Sequence, residues 1–372
     1  MTFNSENLSI VFDLGTTEIK GAVMKNDGTL VQKVTQQNYT TVTDSNRHEQ
    51  DAIFWWKAIC SVSNELCESH KIHSVIVTGQ MQNLLLLNTK GSPLQEVILY
   101  SDQRSIEESE WLLQNSCYLD LVAKTGNEQG PTSLLAKLLW IKKHQPEIFS
   151  KTDCLLPGAS DYVVFRMTGE KATDTTTAST TGLMELVERK WIDEALFNKM
   201  GLQGVQTLLP KLFDGGAKIG ELQKKAATDL GIPAGLPVFL GPGDAGSATI
   251  GAGCGVPGKA YAYIGTSGWV AFSEKQPADP TTGVITLSHP KCDHFIQVAP
   301  LLTAGGNLEW AKSLSNFESY DSLINDAISS PLSNLIFLPY LKGERSPFID
   351  PKARGAFIGL QSTTGQSAMN RA

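Results

Sequence analysis

Residues 12–20 read Phe-Asp-Leu-Gly-Thr-Thr-Glu-Ile-Lys and place a polar turn between two runs of strand-forming residues. The first run begins at Ser9 and the second ends at Met24, and Asn-Asp-Gly at 26–28 is typical of a hairpin into a third strand at 30–34. We therefore expect the chain to open with a three-stranded meander. The turn offers backbone amides, two hydroxyls and a preceding carboxylate. These groups can bind phosphate oxygens and hydrated magnesium, although a purely structural turn uses the same residue types.

A second strand-turn-strand pattern lies at 261–272, where Gly265, Thr266, Ser267 and Gly268 interrupt two strand-like runs. Its similarity to the first turn indicates a faint internal repeat. Two such turns facing each other across a cleft would hold a triphosphate from both sides. That arrangement suits phosphoryl transfer, because positioning and charge stabilisation supply most of the catalysis in that reaction.

Length and composition favour an intracellular globular protein of two lobes. The chain has 372 residues, 41% hydrophobic, which exceeds the size at which a single core usually stops growing. A net charge of −7 without a long basic run makes nucleic acid a poor candidate partner. Apolar runs are too short to cross a bilayer, so we expect no membrane association. The six cysteines are scattered, which argues against a disulfide framework or structural zinc and fits the reducing cytoplasm.

Hydrophobic periodicity predicts the remaining elements. Strands are expected at 74–78, 84–87 and 238–240, and helices from Asp51, at 134–143, from Trp191 to about Gly201, and at 245–252. The boundary between the lobes is expected just after Asp244, with residues 1–246 in the first lobe and 247–372 in the second.

Asp244 follows a strand and a Gly-Pro-Gly sequence and precedes a run of small residues. A carboxylate at a strand-to-helix junction can reach a substrate hydroxyl and act as a general base, with flexible neighbours that let the ligand approach. Aspartate is also a leading N-cap residue, and the local sequence alone favours the cap. The wider pattern of motifs reverses that preference.

These motifs resemble those of the carbohydrate kinases named for their Phe-Gly-Gly-Tyr (FGGY) motif, within the sugar kinase, Hsp70 and actin superfamily. The family's first signature is recognisable at 137–141, with Leu134 where a Pro, Ser or Thr is usual. The resemblance implies an α/β fold of the actin-like (ribonuclease H-like) type, with two lobes around a central cleft. The matching stretches are 12–20 (FDLGTTEIK), 48–56 (HEQDAIFWW), 79–82 (GQMQ), 101–104 (SDQR), 241–246 (GPGDAG), 264–268 (IGTSG) and 338–360.

The resemblance also implies roles for individual residues, with ATP and Mg²⁺ as cofactors. Asp244 would accept the proton of the attacking sugar hydroxyl, and Asp13 would help to place magnesium. Lys20 is a further nucleotide-site candidate, with a solvated strand residue as the alternative. The phosphate contacts would come from two turns, made of Gly15, Thr16 and Thr17 and of Gly265, Thr266 and Ser267.

The segment Gln80-Met81-Gln82 resembles the sugar-contacting segment of xylulokinases, in which a His usually follows the Met. Gln82 can hydrogen-bond sugar hydroxyls without titrating. The resemblance therefore implies D-xylulose as the substrate and D-xylulose 5-phosphate as the product, with another ketose, a polyol or gluconate as alternatives. Asp102 is expected in the same pocket, and a surface ion pair with Arg104 is the alternative.

The chain ends at Ala372, inside a stretch that resembles the family's second signature, whereas family members normally continue much further. The expectation is a truncated second lobe, with the adenine-binding residues beyond residue 372. An alternative function is then a sugar-binding kinase fragment without turnover, and an actin-like ATPase chaperone would bind no sugar at all. The expected partners are a small-molecule sugar and ATP, and a homodimer is the default expectation from the family.

Overall fold

The computed structural model describes residues 7–44, 46–67, 70–291, 293–332, 334–350 and 352–372. Cys292 lies outside them. Strands are β1 (Leu8–Leu14), β2 (Glu18–Lys25), β3 (Leu30–Gln37), β4 (Thr41–Asp44), β5 (Arg47–Gln50), β6 (Ile72–Gly79), β7 (Leu85–Leu87), β8 (Val97–Ile98), β9 (Cys154–Leu156), β10 (Ala172–Asp174), β11 (Met184–Glu185), β12 (Lys190–Trp191), β13 (Lys211–Phe213), β14 (Ala217–Glu221), β15 (Pro237–Leu240), β16 (Ala260–Ile264), β17 (Gly268–Glu274), β18 (Ile285–Ser288), β19 (Phe295–Leu301), β20 (Ile336–Leu338) and β21 (Ala356–Ile358).

Helices are α1 (Ala52–Cys67), α2 (Ile106–Leu113), α3 (Tyr118–Thr125), α4 (Leu134–His144), α5 (Pro146–Lys151), α6 (Ala159–Thr168), α7 (Thr175–Ser179), α8 (Glu194–Lys199), α9 (Lys224–Leu230), α10 (Asp244–Gly251), α11 (Gly305–Ser313), α12 (Tyr320–Ser329) and α13 (Gln366–Arg371). Among the described residues, no helix is long and apolar enough to cross a membrane.

The first lobe is built on a sheet with the strand order β14-β15-β6-β1-β2-β3. β1, β2 and β3 form the antiparallel meander expected from the sequence, and β6 and β15 run parallel to β1. Alternate residues of β1 are fully buried because period-2 side chains turn one set toward the helices. The parallel strands bring the carboxyl ends of β1, β6 and β15 to one edge of the sheet, where the candidate site residues follow.

Helix α1 covers this sheet, and its start is set by Asp51. The Asp51 carboxylate accepts a hydrogen bond from the Ile53 amide at 2.7 Å, as the predicted cap requires. Val62 and Leu66 on its buried face pack directly over Gly21 of β2, where a side chain would find no room.

Gly21→Ala is therefore expected to destabilise the protein by about 1–3 kcal/mol through overpacking. A Cβ at this position would lie 2.3 Å from Val62 Cγ1 and 2.9 Å from Leu66 Cδ1. Urea unfolding measures the effect, and adding Val62→Ala should recover part of the loss. Equal stability of Gly21→Ala and the wild type would contradict this packing.

The middle of the chain forms a second hydrophobic cluster, centred on α4. Leu134, at the variant position of the signature, is fully buried there, which explains why an apolar residue is accommodated. The predicted helix start at Trp191 is wrong by three residues. Trp191 pairs with Met184 in a two-residue ladder, and α8 begins only after Asp193, whose carboxylate accepts from the Leu196 amide and caps the helix.

The second lobe contains a sheet with the order β16-β17-β19-β18, antiparallel throughout. β16 and β17 flank the second turn as β1 and β2 flank the first, so both predicted strand-turn-strand units are present. The predicted lobe boundary after residue 246 lies within α10.

Candidate active site

Asp244 stands at the start of α10, at the carboxyl edge of the first sheet. The preceding loop is tied to β6, because the Gly241 amide donates to the Val77 carbonyl at 2.8 Å and Thr78 Oγ1 donates to the Pro242 carbonyl at 2.8 Å. Gly243 is the N-cap and Asp244 is the first helical residue, so the N-cap alternative considered from the sequence does not hold. The Asp244 carboxylate is exposed and accepts a hydrogen bond from the adjacent Ala245 amide at 2.8 Å.

The electrostatic surroundings of Asp244 suit a proton acceptor. Its side chain is exposed, but the surrounding folded chain displaces part of the water around the carboxylate. This desolvation, with smaller contributions from the nearby charges of Asp13 and Asp174, raises the pKa of the Asp244 carboxyl to about 7. A base with a pKa near neutrality combines a sufficient ionised fraction with useful basicity.

The raised pKa of Asp244 predicts a pH-dependent effect on stability. The folded protein keeps this proton up to about pH 7, whereas the unfolded carboxyl loses it near its usual pKa of 3.8. The stability that comes from the protonated Asp244 carboxyl is therefore fully present below pH 3.8 and is lost as the pH rises through about 7. Asp244→Asn should melt above the wild type at pH 8, and the difference should fade toward pH 4, in melting curves across this range.

Asp193→Asn serves as the opposite-sign control, because the Leu196 amide lowers the pKa of Asp193. Removing this charge should lower the melting temperature at neutral pH. An Asp244→Asn curve parallel to the wild type at every pH would contradict the raised pKa.

The first turn joins β1 to β2 and is closed by the Gly15 amide, which donates to the Glu18 carbonyl at 2.9 Å. Asp13 lies directly across the ladder from Lys20. Burial raises the pKa of Asp13, and the positive charges of Lys20 and Lys33 oppose that rise. Thr16 is partly buried and Thr17 is exposed, so the Thr17 side chain of this turn is open to solvent.

Gln50 is the centre of a buried amide network beneath this turn. Its Nε2 donates to the Thr16 carbonyl at 2.7 Å and to Thr40 Oγ1 at 2.8 Å. Its Oε1 accepts from Gln80 Nε2 at 2.8 Å, Trp55 Nε1 at 2.9 Å and Asn38 Nδ2 at 3.2 Å. Gln50 therefore joins the first turn to the start of the Gln80-Met81-Gln82 segment.

Gln50→Ala is expected to raise the KM for the nucleotide and to destabilise the fold by about 1–3 kcal/mol, because buried donors lose their acceptor. Gln37→Ala, an exposed glutamine at the end of β3, is the matched control and should change neither quantity. Initial-rate kinetics and urea unfolding supply the two measurements. An unchanged KM in a destabilised variant would limit Gln50 to a structural role.

The predicted sugar-contacting segment, Gln80-Met81-Gln82, follows β6, and its three side chains have different surroundings. Gln80 is buried, and its Oε1 accepts from Thr16 Oγ1 at 3.1 Å, so it faces the turn. Met81 packs against the second lobe near Leu287 and Ile296 and also abuts Gly243. Gln82 has a left-handed backbone with φ 58° and donates from Nε2 to the Thr180 carbonyl at 2.8 Å.

Gln82 lines a cavity of about 330 Å³ that both lobes border. Glu128 and Gln129 contribute from the first lobe, and Glu344 and Arg345 from the second. Polar groups on several sides of one cavity are typical of sites that orient a hydroxylated ligand.

Asp102 does not face this cavity. Its carboxylate is fully buried and accepts from the Arg104 guanidinium at 2.7 and 2.8 Å and from the His48 amide at 2.8 Å. The pair is buried rather than on the surface, with Arg104 only 4% exposed over the Trp140 ring. This geometry favours an architectural ion pair over a sugar contact.

The second turn lies against the start of α11. The Gly265 amide donates to the Ser267 carbonyl, while the amides of Gly305 and Gly306 donate to the carbonyls of Gly265 and Thr266. Thr266 and Ser267 are exposed, so their side chains are available to a ligand. The contact of both turns with one triphosphate stays a prediction.

Sequence reasoning missed Gln50 and Asp174. Gln50 lies within the stretch 48–56 that resembles the family, but the sequence indicates no role for it, because its five partners come together only in the fold. Asp174 is fully buried and N-caps α7 through the amides of Thr176 and Thr177. The sequence Thr-Asp-Thr-Thr-Thr at 173–177 contains the signal for this cap, an aspartate ahead of a short helix.

Comparison with known proteins decides the family. Residues 8–251 match the N-terminal domain of the FGGY family of carbohydrate kinases, and residues 260–372 match its C-terminal domain. This chain is an FGGY carbohydrate kinase. The FGGY relatives include the xylulose kinase of Escherichia coli (strain K12), which is 32% identical over 374 residues, covering 98% of this chain and 75% of that protein. The xylulose kinase of Staphylococcus xylosus is 29% identical over 373 residues, with 98% and 76% covered.

Solved structures agree with the FGGY assignment. A xyloylose kinase from Brucella ovis superposes with a TM-score of 0.89 at 28% identity, and a gluconate kinase from Lactobacillus acidophilus with 0.88 at 27%. Each superposition covers 98% of this chain and 75% of the other. The expected two-lobed α/β fold and the expected sugar phosphotransferase class are thereby confirmed.

Proposed function

We propose that this FGGY kinase transfers the γ-phosphoryl group of ATP to D-xylulose and forms D-xylulose 5-phosphate. The observation that carries the proposal is the convergence of three features at one edge of the first sheet. Gln80 contacts the first turn through Thr16, and Met81 abuts Gly243, the residue before the proposed base Asp244. The sugar segment, the turn and the base are thus joined directly.

In the proposed reaction, Asp244 accepts the proton of the sugar hydroxyl while that oxygen attacks the γ-phosphorus. The new oxygen–phosphorus bond forms as the bond to the ADP oxygen breaks, and ADP leaves with its electron pair. Gly15, Thr16 and Thr17 and the second turn, Gly265, Thr266 and Ser267, would bind phosphate oxygens, with Lys20 as a nearby positive charge. These contacts work by positioning and charge stabilisation.

The residues present fit a magnesium ion that arrives with the nucleotide. No group of three or more His, Cys, Asp or Glu side chains within the described ranges could hold a metal by itself. Magnesium in kinases is commonly bound by one or two carboxylates together with phosphates and water. Asp13, close enough to Asp244 to raise its pKa, would be the protein ligand. The bound ion would neutralise charge on the phosphates.

Gln82 supports a polyhydroxylated substrate without selecting a single one. One Nε2 hydrogen of Gln82 is bonded to the Thr180 carbonyl, which leaves the second Nε2 hydrogen and the Oε1 acceptor for sugar hydroxyls in the cavity. One or two such hydrogen bonds can decide between related sugars. Another ketose, a polyol or gluconate is the alternative substrate.

A coupled ADP-release assay tests this function with D-xylulose, other ketoses, polyols and gluconate, run beside Asp244→Ala. Turnover with D-xylulose that disappears in the variant supports the proposal. Turnover with another compound instead would identify that compound as the substrate. Sugar binding without turnover across the panel would make the chain a sugar-binding protein without kinase activity.

A cytoplasmic location, a homodimer and the lobe boundary after residue 246 stay predictions.

A further inference from the structure

Helix α7 lies between the helix that carries Asp244 and the sheet of the second lobe. All of its residues, Thr175–Ser179, are buried. Its start is held by Asp174, whose Oδ1 accepts from the amides of Thr176 at 2.8 Å and Thr177 at 3.0 Å. Asp174 Oδ2 accepts from Thr177 Oγ1 at 2.5 Å. The carboxylate therefore determines both the helix start and the orientation of the Thr177 hydroxyl.

One side of α7 packs closely against α10 through two glycines. A Cβ on Gly243 would lie 2.7 Å from Thr177 Oγ1, and a Cβ on Gly246 would lie 3.0 Å from Thr176 Cγ2. The Gly243 amide also lies near the Asp174 carboxylate and favours its charged form. Asp244 lies between these glycines, so its backbone position depends directly on α7.

The other side of α7 is hydrogen-bonded to β18, the edge strand of the second sheet. Thr176 Oγ1 donates to the Ser288 carbonyl at 2.8 Å, and the Ser288 amide donates to Ser179 Oγ at 3.0 Å. Asn127 makes two further bonds to the backbone of Thr286, both 2.8 Å long. Side chains of the first lobe thus satisfy the open edge of the second sheet, as a neighbouring strand would.

We propose that α7, anchored by Asp174, is a positioning element that sets the placement of Asp244 according to the placement of the second lobe. The inference rests on the proposed function, in which Asp244 is the base. A displacement of β18 would move Thr176 and Ser179, which are hydrogen-bonded to it. Because α7 is closely packed against Gly243 and Gly246, these glycines would then move with it. Asp174 itself touches no reactant, so it is a positioning residue.

The double variant Thr176→Val/Ser179→Ala tests the link from β18 to α7. Valine keeps the methyl contact with Gly246 and removes only the hydroxyl. Alanine removes the Ser179 hydroxyl, which accepts from the Ser288 amide and also donates to the Thr176 carbonyl at 2.7 Å. We expect kcat to fall about 10- to 100-fold, because misplacement of a catalytic group is costly. The KM for the sugar should stay within about twofold, since its binding groups are untouched.

Thr175→Val is the matched control in the same helix. Thr175 Oγ1 is buried and makes no hydrogen bond to the described residues, so this variant should keep the wild-type kcat. A kcat loss equal to that of the double variant would overturn the inference, as would an unchanged kcat in the double variant.

Hydrogen exchange of the full chain without substrate separates this inference from the proposed function. In the double variant, amides of both β18 and residues 241–251 should exchange faster than in the wild type and in Thr175→Val. Faster exchange confined to β18 would overturn the inference even in an active kinase. If the wild type shows no turnover, the proposed function fails while exchange still decides the coupling. If the double variant does not fold, Thr176→Val alone provides both readouts.

Discussion

Asp244→Asn is expected to lower kcat for sugar-dependent ADP release by about 10²- to 10⁴-fold, the usual contribution of a general base. Asparagine keeps the size of the side chain and can still accept the bond from the Ala245 amide, but it cannot take up the proton of the sugar hydroxyl. Sugar affinity, measured by calorimetry, should change little. The wild-type kcat/KM should fall as the pH drops through about 7, because the carboxyl that must be ionised titrates there.

Asp193→Asn provides the control for this experiment. It removes a carboxylate from the start of another helix, α8, and leaves the site unchanged, so its kcat should equal that of the wild type. If Asp244→Asn retained more than about a tenth of wild-type kcat, the role of general base would have to pass to another group.

Gly243→Ala is expected to lower kcat by about 100-fold, an effect typical of a displacement of about 1 Å at a catalytic group. A Cβ at this position would lie 2.2 Å from Met81 Sδ and 2.7 Å from Thr177 Oγ1. Met81 is buried between the lobes and Asp174 holds Thr177, so neither neighbour can move freely. Residues 241–243, which connect β15 to α10, must shift instead, and Asp244 shifts with them. Overpacking should also cost about 1–3 kcal/mol of stability.

Gly251→Ala, at the end of the same helix, is the matched control. A Cβ there would have no atom within 4 Å, so this variant should keep wild-type kcat and gain up to about 1 kcal/mol from the reduced entropy of the unfolded chain. Steady-state kinetics and urea unfolding provide the comparison. Equal kinetics for the two alanine variants would show that the loop tolerates the methyl group and that its close packing is not required.

The local features of the site could be predicted from the sequence because they depend on neighbours in the chain. The alternation of β1 and β2 and the Gly-Thr-Thr turn between them are short-range patterns, and the structure has them where they were expected. The start of α8 shows the limit of such reasoning. Trp191 fits a helical pattern, but its pairing with Met184 and the cap at Asp193 decide where the helix begins.

The sequence by itself therefore determined the two-lobed α/β class, the kinase family and the residues around Asp244. Only the tertiary structure decided which groups hold them. The bond from Thr16 to Gln80 spans 64 residues of chain and the bond from Thr176 to Ser288 spans 112, distances at which no local pattern carries information. Burial likewise keeps Asp102 out of the cavity. Desolvation raised the pKa of Asp244, and it depends on atoms gathered from the whole fold.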